Sequence, residues 1–100
     1  MNYTKKKPYI TTNLDVNTTH ITKKDMWILD DWAYPLQFTV YDHDYGYYIY
    51  IPEIINSKEL AAIGMSKNFI HLLKLAKKNK CSFLNIDRDG VTYTDLSEEQ

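Results

Sequence analysis

Leu14 and Val16 alternate with Asn13, Asp15 and Asn17. That period of two is the mark of a half-buried strand, and it places a first strand within residues 9–19. Thr22-Lys23-Lys24-Asp25 puts a hydroxyl at a helix N-cap and a carboxylate at N3, a variant of the capping box. The helix it opens is expected to run to about Ala33, where Pro35 stops it. Met26, Trp27, Ile28, Leu29 and Trp32 would form its apolar side. Residues 37–42 and 46–51 read as paired strands. Phe38 and Val40 share one face of the first, with Thr39 and Tyr41 opposite. Tyr48 and Tyr50 share one face of the second, with Tyr47, Ile49 and Ile51 opposite. Between them His43-Asp44-Tyr45-Gly46 supplies a glycine for positive φ, which suggests a hairpin loop of roughly three to five residues.

Pro52 ends the second of these strands. Residues 53–64 form a connection with one helical turn at Lys58–Ala62. From Ser66 to Asn79 the residues Phe69, Leu72, Leu73 and Ala76 fall at i, i+3, i+4 and i+7, the stripe of an amphipathic helix. Residues 81–86 are a short apolar strand, Asp87-Arg88-Asp89-Gly90 a turn, and residues 91–94 a candidate last strand. The order β-α-β-β-α-β predicts an α+β domain of the ferredoxin-like, split βαβ kind, with two helices on one face of the sheet. The other face would be open and would carry part of the tyrosine cluster.

The 100 residues suffice for one domain with one modest core. Residues 1–8 read as a flexible basic arm, 9–96 as the domain and 97–100 as a tail. Hydrophobic residues at 44% and charged residues at 25% exclude collagen-like, disordered and disulfide-rich classes. No apolar run reaches the roughly 18 residues of a membrane span. The basic N-terminal cluster is followed by no apolar segment of the signal-peptide type. The single Cys81 cannot form an internal disulfide. A cytoplasmic protein is the expectation, without membrane or cofactor, as monomer or homodimer.

A net charge of -1 hides a strong segregation. Asp25, Asp30, Asp31, Asp42, Asp44 and Glu53 follow one another with no Lys or Arg between them. Lys67, Lys74, Lys77, Lys78 and Lys80 follow one another with no acid between them. Six of the 9 tyrosines (Tyr34, Tyr41, Tyr45, Tyr47, Tyr48 and Tyr50) fall inside the acidic stretch.

Three small constellations could carry chemistry. Asp87 and Asp89, two apart after a strand, could chelate a hard cation, but they read first as a hairpin turn with Asp87 as local acceptor. Asp42-His43-Asp44 offers carboxylates and an imidazole, in what reads as a solvated hairpin tip. His20 sits at a strand-to-helix junction, where it either reaches a cleft or fixes the backbone. Were they to converge, Asp87, Asp89, Asp42 and His20 or His43 could serve a metal-dependent hydrolase. His71 reads as solvated and Cys81 as buried, and no phosphate-loop, nucleophile-elbow or zincin motif occurs.

Tyrosines on an open sheet can stack nucleic-acid bases, but that arrangement needs nearby Lys or Arg. The tyrosine stretch has neither, so direct nucleic-acid contact is not expected from it. Tyr beside Asp suits instead a surface that meets a basic protein groove. An alternative nucleic-acid site is the Lys5-Lys6-Lys7 arm with the second helix.

Four motifs in order carry a resemblance: Asn17-Thr18-Thr19-His20-Ile21-Thr22, the segment from Tyr45 to Pro52, Ala76 to Cys81, and Ile86-Asp87-Arg88-Asp89-Gly90. They resemble an uncharacterised bacterial domain family with the patterns S-T-x-H-L-T, Y-G-W-F-V-Y-V, A-x-x-x-G-C and D-R-D-G, over about residues 14–96. The resemblance implies a plasmid, phage or other mobile-element setting and no transferable activity. The aromatic L-P-x-Y-x-W end of that family is replaced here by Leu96-Ser97-Glu98-Glu99-Gln100.

Together these readings favour a small non-enzymatic binding protein of a mobile element. It would inhibit a host defence nuclease of the CRISPR or restriction kind by imitating DNA phosphates. Its partner-binding residues would be Asp30, Asp31, Tyr41, Asp42, Asp44, Tyr45, Tyr47 and Tyr48.

Overall fold

Each α-helix among the described residues opens on a polar side chain that satisfies its own first turn. Thr22 Oγ1 accepts from the Asp25 N–H at 2.9 Å, Asn56 Oδ1 from the Glu59 N–H at 3.2 Å, and Ser66 Oγ from the Phe69 N–H at 3.1 Å. Such caps contribute about 1 kcal/mol each. The computed structural model describes residues 12–31 and 38–93. The first helix ends at Asp30 with Asp31 as an extended C-cap, short of the end expected at about Ala33. Ala33 and Pro35, the basic arm and the tail lie outside the described residues. Within them run β1 (Asn13–Asn17), a 3-10 turn (Thr18–His20), α1 (Lys23–Asp30), β2 (Val40–His43), β3 (Gly46–Tyr50), α2 (Ser57–Ala62), α3 (Lys67–Lys78) and β4 (Phe83–Asp87).

The protein is an α+β domain whose four strands form one mixed sheet in the order β1-β4-β3-β2. β4 pairs parallel with β1 and antiparallel with β3, and β3 pairs antiparallel with β2. Burial explains who stands in the middle. β3 and β4 alternate Tyr47 and Ile49 with Tyr48, and Leu84 and Ile86 with Asn85, so each buries two side chains on one face. β1 buries only Val16 and β2 buries none, so both can tolerate an edge. The α+β class holds, while the ferredoxin-like arrangement is not found: two helices, not one, precede β4, and β1 lies at the sheet edge, parallel to β4.

Val16, Leu84, Ile86, Tyr47 and Ile49 share the inner face. Against them pack Ile28 and Leu29 of α1, Leu60 of α2, and Phe69, Leu72, Leu73 and Ala76 of α3. Three helices cover that face where two were expected, because the turn at Lys58–Ala62 is a capped helix anchored by Leu60. The α3 stripe is buried as its periodicity demands. Trp27 departs from its expected place on the apolar side of α1 and is 72% exposed. Residues 91–93 form no strand; the Val91 carbonyl instead accepts from the Asn17 N–H at 2.9 Å.

Asp25 is fully buried and joins two helices. Its carboxylate accepts from the Thr22 N–H at 2.9 Å, closing the capping box of α1. It also accepts from the Ser66 N–H at 2.8 Å and the Ser66 hydroxyl at 2.5 Å, and Ser66 is the N-cap of α3. One negative charge thus serves two helix N-termini, where the backbone dipoles favour it.

Candidate functional site

The parallel strands β1 and β4 end side by side, and the β2–β3 hairpin turns at the same end of the sheet. The turn is tighter than expected. His43 pairs with Gly46, so Asp44 and Tyr45 alone form the tip, and neither has a positive φ. Gly46 takes the positive φ expected of it, 157°, and is required for a second reason as well. A Cβ there would overlap the carbonyl oxygen of Ile86, so only glycine lets β3 lie this close to β4. The Arg88 N–H then donates to the Tyr45 carbonyl at 3.0 Å, and the Arg88 guanidinium lies 5.0 Å from the centre of the Tyr45 ring.

The junction after β1 is tied to the exit of β4. Asn17 Nδ2 donates to the carbonyls of Arg88 and Gly90, both at 3.1 Å, and its Oδ1 accepts from the Thr19 N–H. His20 is fully buried, and its Nε2 accepts from the Tyr93 N–H at 2.9 Å, so its proton is on Nδ1. The imidazole thus fixes the junction. Asp87 is the local acceptor of its own turn, taking the Asp89 N–H at 2.8 Å. Among the described residues, no group of three or more His, Cys, Asp or Glu is placed to hold a metal ion.

Around this end lies a cavity of about 360 Å³, whose lining includes Asp30, Asp42, Asp44, Tyr45, Tyr47 and Arg88. Five residues expected in a partner site are therefore brought together: Asp30 from α1, and Asp42, Asp44, Tyr45 and Tyr47 from the hairpin. Asp42 stands opposite Tyr47 on the inner face of the sheet. Tyr47 is the floor, only 8% exposed, its hydroxyl donating to Asp30 Oδ1 at 2.8 Å and to the Met26 carbonyl at 3.3 Å. Burial pushes its ionisation well above the ordinary tyrosine range, and the Asp30 hydrogen bond and the charges of Asp30 and Asp42 push it further. A neutral phenol under three carboxylates suits a cationic visitor such as the side chain of Lys or Arg.

The other expected residues do not join the cavity. Tyr41 and Tyr48 face each other across β2 and β3 on the open side of the sheet. Asp31 is exposed at the C-cap of α1, outside the lining. On the open side Tyr48 donates to Asn13 Oδ1 at 2.7 Å and stacks on Phe83, ring centres 4.5 Å apart. Beside them runs a polar chain, with Asn85 Nδ2 donating to Asp15 Oδ1 at 3.1 Å and Asn85 Oδ1 lying 3.0 Å from His43 Nε2.

Sequence reading passed over two residues here. Arg88 enters the cavity from the turn after β4, far from the acidic stretch in sequence. Trp27 shares a face of α1 with Asp30 and Asp31, at i, i+3 and i+4. That spacing was the available signal: an aromatic in register with two acids belongs to the solvent side.

Three of the four motifs therefore meet in space: Asn17–His20, Tyr45–Gly46 and Asp87–Gly90. The model of a family described as "Family of unknown function (DUF5983) C-terminal domain" matches residues 13–98. The chain belongs to that family. No curated protein and no solved structure matches it. What the DUF5983 domain holds at this end of its sheet is an acidic cavity braced by backbone ties between β1, the hairpin and β4. No described helix is long and apolar enough to cross a membrane.

Proposed function

We propose that this DUF5983 domain is a non-enzymatic binding protein that docks its acidic hairpin end on a basic protein groove. The observation that carries this reading is the meeting of Asp30, Asp42 and Asp44 around one cavity, from two elements distant in sequence. Exposed Trp27 and Tyr45 flank those carboxylates. Aromatic anchors beside acids are what a Lys- or Arg-lined groove accepts. The mobile-element setting implied by the motifs points to the nucleic-acid groove of a host defence nuclease, CRISPR or restriction type, with the domain acting as an inhibitor in the bacterial cytoplasm.

The test is inhibition of DNA cleavage by purified effector complexes and restriction nucleases of candidate hosts. Inhibition should weaken as salt rises, because exposed charges are screened. It should also weaken when Asp42 and Asp44 are changed to Asn. Cleavage that proceeds undisturbed across the panel, with no complex detected by light scattering, would overturn the reading.

A further inference from the structure

We propose that the opposite end of the sheet is a second site, one for single-stranded nucleic acid, with a base on Tyr50 and its phosphate on Lys77 and Lys80. This goes beyond the docking of the acidic end and does not depend on it. The tyrosine stretch itself holds no Lys or Arg. In the fold that absence is local to the hairpin. Tyr50 ends β3 where α3 finishes and β4 begins, and there it shares a cleft of about 570 Å³ with Pro52, Glu53, Lys77, Lys80 and Ser82.

The ring is exposed and held. Tyr50 is 52% exposed, and Phe83 meets it edge-on at 5.4 Å with an interplanar angle of 74°. Phe83 is itself stacked on Tyr48, so the ring that holds Tyr50 is in turn held. A fixed, accessible phenol ring is the platform on which unpaired bases stack, whatever their sequence.

Lys80 is held where a glycine would be easier. It follows the Asn79 C-cap of α3 with φ 60, in the left-handed region that side chains disfavour. The backbone there closes a Schellman motif: the Lys80 N–H donates to the Lys77 carbonyl at 3.0 Å and the Cys81 N–H to the Ala76 carbonyl at 2.9 Å. That motif prefers glycine at this position. A strained lysine beside a stacking ring points to use of its ammonium group. Glu53 is the one carboxylate among the described residues of the cleft. Lys74 and Lys78 line the adjoining cavity of about 440 Å³, so lysines dominate this end. Duplex DNA hides its base faces and cannot use the ring, which favours a single strand.

Fluorescence anisotropy of labelled oligo-uridylate and oligo-thymidylate, titrated with the full chain at low salt, tests the site. Single strands should bind, and a duplex of equal length should bind more weakly. Tyr50→Ala should weaken single-strand binding roughly tenfold, while Tyr50→Phe restores it. Lys80→Gly should reduce the slope of log affinity against log salt by about 0.7, one phosphate contact on a single strand. It should also raise the thermal midpoint, which separates lost binding from lost folding. Competition by uridine monophosphate at the same site supports the base-and-phosphate geometry and makes the natural ligand a nucleotide. Absence of binding at low salt overturns the proposal. So does binding that is equal for duplex and indifferent to Tyr50→Ala, or competition by polyglutamate as strong as by the oligonucleotide, since either reduces the site to bare charge.

Discussion

Replacing Asp25 with alanine should loosen the joint between α1 and α3. The carboxylate accepts three hydrogen bonds, one from Thr22 and two from Ser66, and is fully buried. Losing the capping-box half costs about 1 kcal/mol. The Ser66 N–H and hydroxyl lose an ionised acceptor, and donors left unsatisfied in a part-buried site cost about 1–3 kcal/mol each. The sum is about 3–7 kcal/mol, a large share of the roughly 5–15 kcal/mol that holds a domain folded. Thr22→Ala removes one cap only and should cost about 1 kcal/mol. Urea denaturation followed by circular dichroism measures both. A loss for Asp25→Ala no greater than that for Thr22→Ala would refute the bridge between the helices. Pairing Asp25→Ala with Ser66→Ala adds a second check. The two losses should fall short of additivity by about 0.5–3 kcal/mol, because they remove the same bonds.

The raised ionisation of Tyr47 predicts alkaline lability: above about pH 10 the unfolded chain releases a proton that the folded one keeps, so stability falls by up to about 1.4 kcal/mol per pH unit and is flat below. Tyr47→Phe should remove that contribution to the slope, at a cost of about 1 kcal/mol at neutral pH, both read from urea midpoints across the alkaline range. If the acidic end docks on a partner, Asp42→Asn with Asp44→Asn should slow association and flatten its salt dependence in stopped-flow mixing, leaving dissociation nearly unchanged. Trp27→Ala should cost about 2 kcal/mol or more of that binding by calorimetry, with no loss of thermal stability, since the ring is free of the core. Gly46→Ala should destabilise by more than about 2 kcal/mol in denaturant titration, because β3 must move away from β4 to admit the methyl group.

Local chemistry was the legible part of the sequence. The capping box at Thr22 and Asp25 and the stripe from Phe69 to Ala76 involve residues a few positions apart, and both formed as read. The hairpin was legible in its pairing and in the positive φ of Gly46, while the close approach of Gly46 to β4, forty positions away, was not. Trp27 was misplaced because apolar character alone was counted, without its register to Asp30 and Asp31. Half of the acidic site was legible as composition. The meeting of Asp30 with Asp42, and the entry of Arg88, depend on which strands lie side by side, and no periodicity reports that.

The place of β4 between β1 and β3 governs how the chain can mature. Asp15 and Asn85 touch across 70 positions, so β1 finds its neighbour only after almost everything else has been made. During synthesis β1 and β3 emerge with unpaired edges facing a gap, and the last strand must enter it to complete both ladders at once. Long-range closure of this kind is slow, because loop entropy is spent before contacts repay it. A chain cut short before Phe83 leaves both of those edges without their partner strand and should be more readily proteolysed than the full chain. The same insertion step brings the Arg88 turn against the hairpin, so the acidic cavity comes into being only with the finished fold.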